Sequence, residues 1–471
     1  MDQQALISAV VEQVLSRLNK GGGSAKPQPA PSGGGFGIYK GVDEAVQAAS
    51  RSQRQLLALS LDDRSTICDM LRTIPRQNSK EWGRIELEET KVGRLDHKIT
   101  KLELLGKVPG VEFLRTVAHS GDQGVSLDEG AAWGIIGCIT PVTHSIPTLT
   151  ANAINMLAAG NAMVVNAHPS GHKCAAMAVQ TYNRAIADKF GIEDLICVID
   201  PPTLRSAEEI FQHPDIPLLV VTGGPAVARA ALKQQKRAIV AGPGNPPVVV
   251  DETADLDNAA KSIIAGGSFD NNLLCIGEKE VFVVESVFDK MMAAMERAGA
   301  VRLNSSQIDR LTKAAFTWQK DHFAVNKDLV GKGCETLGEA AGAKVSAKVD
   351  LLFGETGEDN PFVPEEQMMP FVPFVRVRSA DEAIRLALKH EHGFGHTAII
   401  HSNNLATITK MGRAMNTTLF VVNGPCTAAL GMGGEGYPSY SIATPTGEGV
   451  TNPLTFTRFR RMGVAGALRM I

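Results

Sequence analysis

Residues 133–168 read WGIIGCITPVTHSIPTLTANAINMLAAGNAMVVNAH. An apolar run, Trp133–Ile139, ends in a Thr140-Pro141 turn. A helix-like stretch follows at 147–158, and a second apolar run, Ala162–Asn166, leads into Ala167-His168-Pro169. Short apolar run, helix, short apolar run is the pattern of a βαβ unit, whose strands are covered on both faces. The alternation continues outward. Leu195–Ile199, Leu218–Thr222 and Arg237–Ala241 read as further strands, with helices at 171–188, 205–212 and 225–235. The expectation is an α/β protein with a mostly parallel sheet.

A second series of the same kind follows. Its strands are expected at Pro247–Asp251, Val281–Val284, Phe371–Val377, Thr397–Ile400 and Thr418–Val422. Pro243, Pro246 and Pro247 interrupt the chain between the two series, which puts a domain boundary at 241–246. Upstream, 42–118 reads mostly helical, with charged stretches such as Glu86-Leu87-Glu88-Glu89. Downstream, the tail from 437 is rich in Thr, Arg and Gly and reads as an extended arm. The 471 residues, at about 150 per domain, fit this organisation. It comprises a first domain over 37–240, a second over 241–436 and an arm over 437–471.

The N-terminus stands apart. Leu6, Val10, Val14 and Leu18 recur every fourth position, so 1–18 carries an amphipathic helix. A segment of that length is marginal alone in water and needs a partner surface. Residues 19–36 then supply Gly21-Gly22-Gly23-Ser24, Pro27, Pro29, Pro31 and Gly33-Gly34-Gly35, the composition of a flexible linker. The helix is therefore tethered, and its partner is this globule, a second copy or another protein.

Composition excludes several classes. Net charge is −3, with 47 basic and 50 acidic residues spread along the chain, which argues against nucleic-acid binding through a basic surface. No apolar run approaches the roughly 18 residues of a membrane span. The start Met1-Asp2-Gln3-Gln4 lacks the basic residues of a secretory signal, so a cytoplasmic protein is expected. The seven cysteines are scattered and include no Cys-x-x-Cys, which excludes a disulfide framework and a cysteine-rich zinc site. The histidines show no metal-ligand spacing, and no metal is expected.

One cysteine has a distinctive setting. Gly266-Gly267-Ser268-Phe269-Asp270-Asn271-Asn272-Leu273-Leu274-Cys275 leaves an apolar helix through a glycine pair and a polar turn. A thiol in such a loop can be accessible and can ionise more readily than a buried one. Elsewhere, Thr222-Gly223-Gly224-Pro225 follows a strand and opens a helix, which can turn backbone N–H groups toward a phosphate. Asn166-Ala167-His168-Pro169 occupies the same position after its strand.

At Cys275 the sequence becomes recognisable. The chain resembles the aldehyde dehydrogenase superfamily, and within it the CoA-acylating enzymes of bacterial microcompartments. The resemblance covers essentially all of 37–471. It rests on Met156-Leu157-Ala158-Ala159-Gly160-Asn161, Val221-Thr222-Gly223-Gly224, Gly242-Pro243-Gly244-Asn245-Pro246-Pro247 and the Ser268–Cys275 stretch. It also rests on Asn423-Gly424-Pro425, Gly433-Gly434-Glu435-Gly436 and Thr444-Pro445-Thr446-Gly447-Glu448-Gly449. It implies an aldehyde dehydrogenase-like fold: a Rossmann-type cofactor domain, an α/β catalytic domain and a small oligomerisation arm. A hairpin near 110–131 would join that arm, in a dimer or tetramer.

The implied chemistry is attack of the Cys275 thiolate on an aldehyde, hydride transfer to NAD+ or NADP+, and release of the thioester to coenzyme A. The expected substrate is a short aldehyde, propionaldehyde or acetaldehyde. Hydrolytic relatives carry Glu-Leu-Gly-Gly-Lys-Asn-Pro at the interdomain turn, where the Glu activates water. This chain has Val240-Ala241-Gly242-Pro243-Gly244-Asn245-Pro246 there, and valine takes no proton.

Glu366 matches the carboxylate that holds the nicotinamide ribose. Thr140, Pro141, His168, Pro169, Thr222, Gly223 and Gly224 fall where the family binds its cofactor. Two residues depart from the family. His144 stands where an oxyanion-binding Asn is usual, and His168 stands where hydrolytic members have a ribose-binding Lys. An imidazole can replace the amide only in the right tautomer; the alternative is that Thr143 or the backbone does so. The resemblance also reads residues 1–18 as a segment that recruits shell proteins and routes the enzyme into a microcompartment lumen.

Overall fold

The computed structural model describes residues 35–320 and 322–469. The helix expected at 1–18 and most of the linker at 19–36 lie outside the described residues.

The first series of apolar runs forms a six-stranded sheet, parallel throughout. Across it the order is Ile38–Tyr39, Ile196–Ile199, Ala162–Ala167, Ile135–Thr140, Leu218–Thr222 and Arg237–Ala241. The interior strands Ile135–Thr140 and Ala162–Ala167 are buried at every residue. That is why they read as unbroken apolar runs rather than alternating ones. From Ile135–Thr140 the chain adds strands on one side, then returns to add Leu218–Thr222 on the other. In such sheets ligands usually bind beyond the carboxyl ends of the strands at a reversal of this kind.

Helix Ser145–Ala158 crosses this sheet and is buried at every residue, so it shows no polar stripe. Some of its polar side chains find partners inside, while the Thr148 hydroxyl and the Asn155 amide are buried with none among the described residues. Thr150 Oγ1 pairs with the Tyr182 hydroxyl at 2.7 Å, and Asn152 Oδ1 accepts from Ser441 Oγ at 3.1 Å.

The second series forms a seven-stranded parallel sheet in the order Val301–Arg302, Leu352–Thr356, Phe371–Val377, Glu280–Val284, Pro247–Val250, Thr397–His401 and Leu419–Val422. The two strands not anticipated from sequence are the short Val301–Arg302 and its neighbour Leu352–Thr356 at one margin. There Glu355 meets Arg376 at 3.0 Å, so a polar residue interrupts the apolar signal. The segment 242–246 runs from the carboxyl end of the first sheet to the amino end of Pro247–Val250 in the second.

The tail does not run as one arm over 437–471. Ala443 and Phe456 are buried in the core of the first sheet, and Asn161 Nδ2 donates to the Phe456 carbonyl at 3.0 Å. Only Thr457–Ala465 leaves the body. It pairs antiparallel with Gly124–Ala132, which pairs in turn with Val117–Gly121. Among the described residues, no helix is long and apolar enough to cross a membrane.

Candidate active site

Helix Leu256–Gly267 starts on an Asp255 cap and ends in the glycine pair. Position 266 admits no side chain, because a Cβ there would overlap the buried Glu278 carboxylate. Asp270, Asn271 and Asn272 then take three consecutive left-handed conformations, with φ of 53°, 57° and 62°. Asp and Asn tolerate this region better than other non-glycine residues, and each side chain here is anchored. Asp270 Oδ1 accepts from the Arg94 N–H at 2.8 Å, Asn271 Nδ2 donates to the Gly331 carbonyl at 2.9 Å, and Asn272 Nδ2 donates to the Glu278 carbonyl at 3.0 Å. This turn delivers Cys275. Of the seven cysteines, the other six are buried and Cys275 is partly exposed.

Cys275 borders a cavity of about 40 Å³ whose walls include Lys101, Leu104, His144, Phe269, Thr427 and Tyr440. Leu104, Phe269, Thr427 and Met432 also border an adjoining groove of about 820 Å³. Tyr440 brings the tail into the wall, and its hydroxyl donates to the Lys101 carbonyl at 2.9 Å.

Burial pushes the Cys275 thiol up to about 12, with the Glu366 carboxylate adding to the shift and the Lys279 ammonium opposing it. Glu366, which accepts from the Gly244 N–H, is itself raised to about 7 by burial, against the pull of Lys279. Lys279 is buried and donates to the Asn272 carbonyl at 2.8 Å. His396 lies across Gly244 from Cys275. A Cβ on Gly244 would sit 2.5 Å from the Cys275 carbonyl and 2.9 Å from the His396 ring. His396 Nδ1 meets Thr397 Oγ1 at 2.9 Å, its Nε2 has no partner, and burial lowers it to about 4.

The structure thus brings Cys275, His144 and Glu366 together. Thr140, Pro141, His168, Pro169, Thr222, Gly223 and Gly224 gather separately, at the carboxyl ends of three neighbouring strands of the first sheet. Their side chains are mostly engaged locally. Thr222 Oγ1 pairs with Ser441 Oγ at 2.7 Å, and His168 Nδ1 accepts from the Ser170 N–H at 3.1 Å. What this end offers a ligand is backbone. Nothing lies within 4 Å of where a Cβ on Gly224 would stand, at the start of helix Pro225–Leu232.

The profile of the aldehyde dehydrogenase family matches residues 38–437. An acetylating acetaldehyde dehydrogenase of Salmonella typhimurium is 40% identical over 475 residues, covering 100% of both chains. The chain belongs to the aldehyde dehydrogenase family. A CoA-propanoylating propanal dehydrogenase of Citrobacter freundii is 41% identical over 430 residues, covering 91% of this chain and 92% of its own. Among solved structures, a propionaldehyde dehydrogenase from the Clostridium phytofermentans fucose utilisation bacterial microcompartment superposes with a TM-score of 0.90 at 39% identity, covering 93% of this chain and 100% of that one.

Against this aldehyde dehydrogenase background, position 240 is informative. Val240 is fully buried in strand Arg237–Ala241, and its N–H donates to Thr446 Oγ1 at 3.0 Å. The residues sequence reasoning missed are Lys98, Lys101, Lys279, His396 and Tyr440. Lys98 and Lys101 lie three apart on a helix of otherwise ordinary polar pattern. Their partners, Glu86 and Asp270, come from other elements.

Proposed function

We propose that this aldehyde dehydrogenase is CoA-acylating: it converts a short aldehyde, coenzyme A and NAD+ into acyl-CoA and NADH through a thioester on Cys275. The observation that carries the reading is a cavity bordered by Cys275, the one cysteine that is not fully buried, combined with a buried valine at position 240. The relatives' CoA-acylating activities agree with it.

The chain's own groups have the following roles. Cys275 sulfur bonds to the aldehyde carbon. His144 and the Cys275 N–H hold the oxygen as it gains charge. A dinucleotide fits the open carboxyl end of the first sheet, where Gly223 and Gly224 would meet its diphosphate and Thr140, Pro141, His168 and Pro169 would flank it. Glu366 would hold its ribose. Bound there, the dinucleotide supplies the hydride acceptor. NADP+ is the alternative cofactor. A thiol with an ordinary pKa near 8.5 needs far less help to attack a thioester than water, near 15.7, so a chain with Val240 passes its acyl group to a thiol. His396 and Glu366 are the proton acceptors beside Cys275.

The expected substrate is propionaldehyde, with acetaldehyde the alternative, in keeping with relatives named for propanal and acetaldehyde. Comparing kcat/KM for C2 to C4 aldehydes orders them. The deciding experiment mixes aldehyde and NAD+ with and without CoA. Without CoA, NADH should stop at about one equivalent per subunit. Continuous acid formation without CoA would overturn the assignment.

Residues 1–18 are proposed to carry the enzyme into a microcompartment lumen, by analogy with the solved neighbour's origin. Deleting them should leave activity intact and abolish co-sedimentation with shells. Strand Thr457–Ala465, at a sheet edge with Phe459 80% exposed, is proposed to pair subunits into a dimer or tetramer.

A further inference from the structure

A neutral imidazole has one N–H, and it helps a developing oxyanion only if that N–H is on the nitrogen facing the oxygen. At His144 the choice of nitrogen is set by the neighbour of Nδ1. Lys101 Nζ lies 3.0 Å from it. Burial lowers Lys101 to about 8, so it is an ammonium at pH 7, and with three donors and no lone pair it leaves Nδ1 to accept. The Thr143 carbonyl also lies near the ring. It already accepts from Lys98 and Lys101 at 3.2 and 3.1 Å, and a hydrogen on Nδ1 would point at an ammonium.

Lys101 is held in turn. It is buried and ion-paired to Asp270. Lys98 stands beside it, 3.7 Å from the same Asp270 and 3.3 Å from Glu86, which also accepts from the Ser145 N–H at 3.2 Å. Tyr440 holds the Lys101 carbonyl. Burial works against the Asp270 carboxylate, yet Lys101 and Lys98 keep it below its ordinary range. Burial, then the same two ammonium groups, hold His144 far below its ordinary value, so the ring stays neutral.

We propose that Lys101 is a positioning residue of the reaction: by occupying Nδ1 of His144 it fixes the ring hydrogen on Nε2, where it donates to the aldehyde oxygen at Cys275. The inference rests on the reading of His144 as oxyanion donor. In that step the thiolate sulfur–carbon bond forms and the carbonyl π pair moves onto oxygen. The Nε2 hydrogen stays on nitrogen, and nothing is oxidised. Asp270 also belongs to the turn leading to Cys275, so one ammonium ties the donor to the nucleophile's support.

The test is a double-mutant cycle on kcat and KM, using Lys101→Met, His144→Asn and the pair. An Asn amide presents N–H whatever Lys101 does. Lys101→Met should lower kcat about 10²-fold with aldehyde KM within about threefold. His144→Asn should keep about a tenth of kcat or more, and adding Lys101→Met to it should cost less than about fivefold. Equal costs in both backgrounds would overturn the role of Lys101. An unchanged kcat in His144→Ala would instead overturn the oxyanion reading of His144. If Lys101→Met does not fold, Lys101→Met with Asp270→Asn, which removes both charges, takes its place in the same cycle. Spectra of ¹⁵N-histidine protein give a second readout. His144 Nδ1 should be pyridine-like in the wild type and a tautomer mixture without Lys101, and a wild-type mixture would overturn the proposal.

Discussion

The two parallel sheets use opposite ends. The first sheet offers the carboxyl ends of its strands, where Thr140, His168 and Gly223 emerge. The second offers the amino ends: Gly244, Cys275, Glu366 and His396 each precede a strand. Its carboxyl end is closed by side chains. Ser402 Oγ donates to Asp251 Oδ2 at 2.5 Å, and Asn423 bonds both the N–H and the carbonyl of Ser402. On the proposed function the first sheet follows the usual rule for ligands in α/β proteins, and the second inverts it. The difference lies in what each end supplies. One presents open backbone, suited to a phosphate-bearing ligand. The other presents crowded, buried chemistry that must not move.

Four substitutions test that contrast. Cys275→Ala should remove the covalent step, lowering kcat by roughly 10⁴-fold or more. The check is NADH absorbance on mixing aldehyde, CoA and NAD+, and substantial residual turnover would break the assignment of the amino-end chemistry. Gly244→Ala should lower kcat about 10²-fold and cost about 1–3 kcal/mol, because its methyl meets the Cys275 carbonyl and the His396 ring. Wild-type kinetics there would mean the crowding has no catalytic consequence.

Glu278→Gln probes the same crowding through pH. Burial raises Glu278 to about 7, above its unfolded value. The folded state therefore holds the extra proton between about 4.5 and 7, and wild-type stability falls as pH rises through that window. The variant should match wild type below about pH 4.5 and exceed it by about 3 kcal/mol above pH 7. Melting temperature against pH measures this, and a constant difference would refute it. Gly224→Ala should have the smallest effect on stability, within about 0.5 kcal/mol, since open space surrounds it. The KM for NAD+ should nonetheless rise several-fold, and an unchanged KM would remove the diphosphate from this turn.

The contrast also explains what could be read in advance. Strands buried on both faces leave apolar runs in the sequence, so Leu218–Thr222 and Phe371–Val377 matched expectation end to end; the edge strand Arg237–Ala241 matched too, although Arg237 is exposed. The Cys275 loop was legible because its glycine pair and Asp-Asn-Asn turn are local necessities of the backbone. Lys98 and Lys101 were not legible. A lysine on a helix reads as solvated until a carboxylate from elsewhere pairs with it, and Asp270 is 169 positions from Lys101. Tyr440 was hidden for a similar reason, since a Thr- and Gly-rich tail gives no local sign that it closes a cavity.

The position of that tail bears on biosynthesis. Chains emerge from the ribosome N-terminus first. Tyr440 walls the thiol cavity, and Ala443 and Phe456 complete a core begun at Tyr39. The nascent polypeptide therefore carries Cys275 long before it carries the residues that enclose it. Catalytic competence therefore waits for the segment from Tyr440 to Phe456, and a product terminated before it lacks both a finished core and a formed cavity.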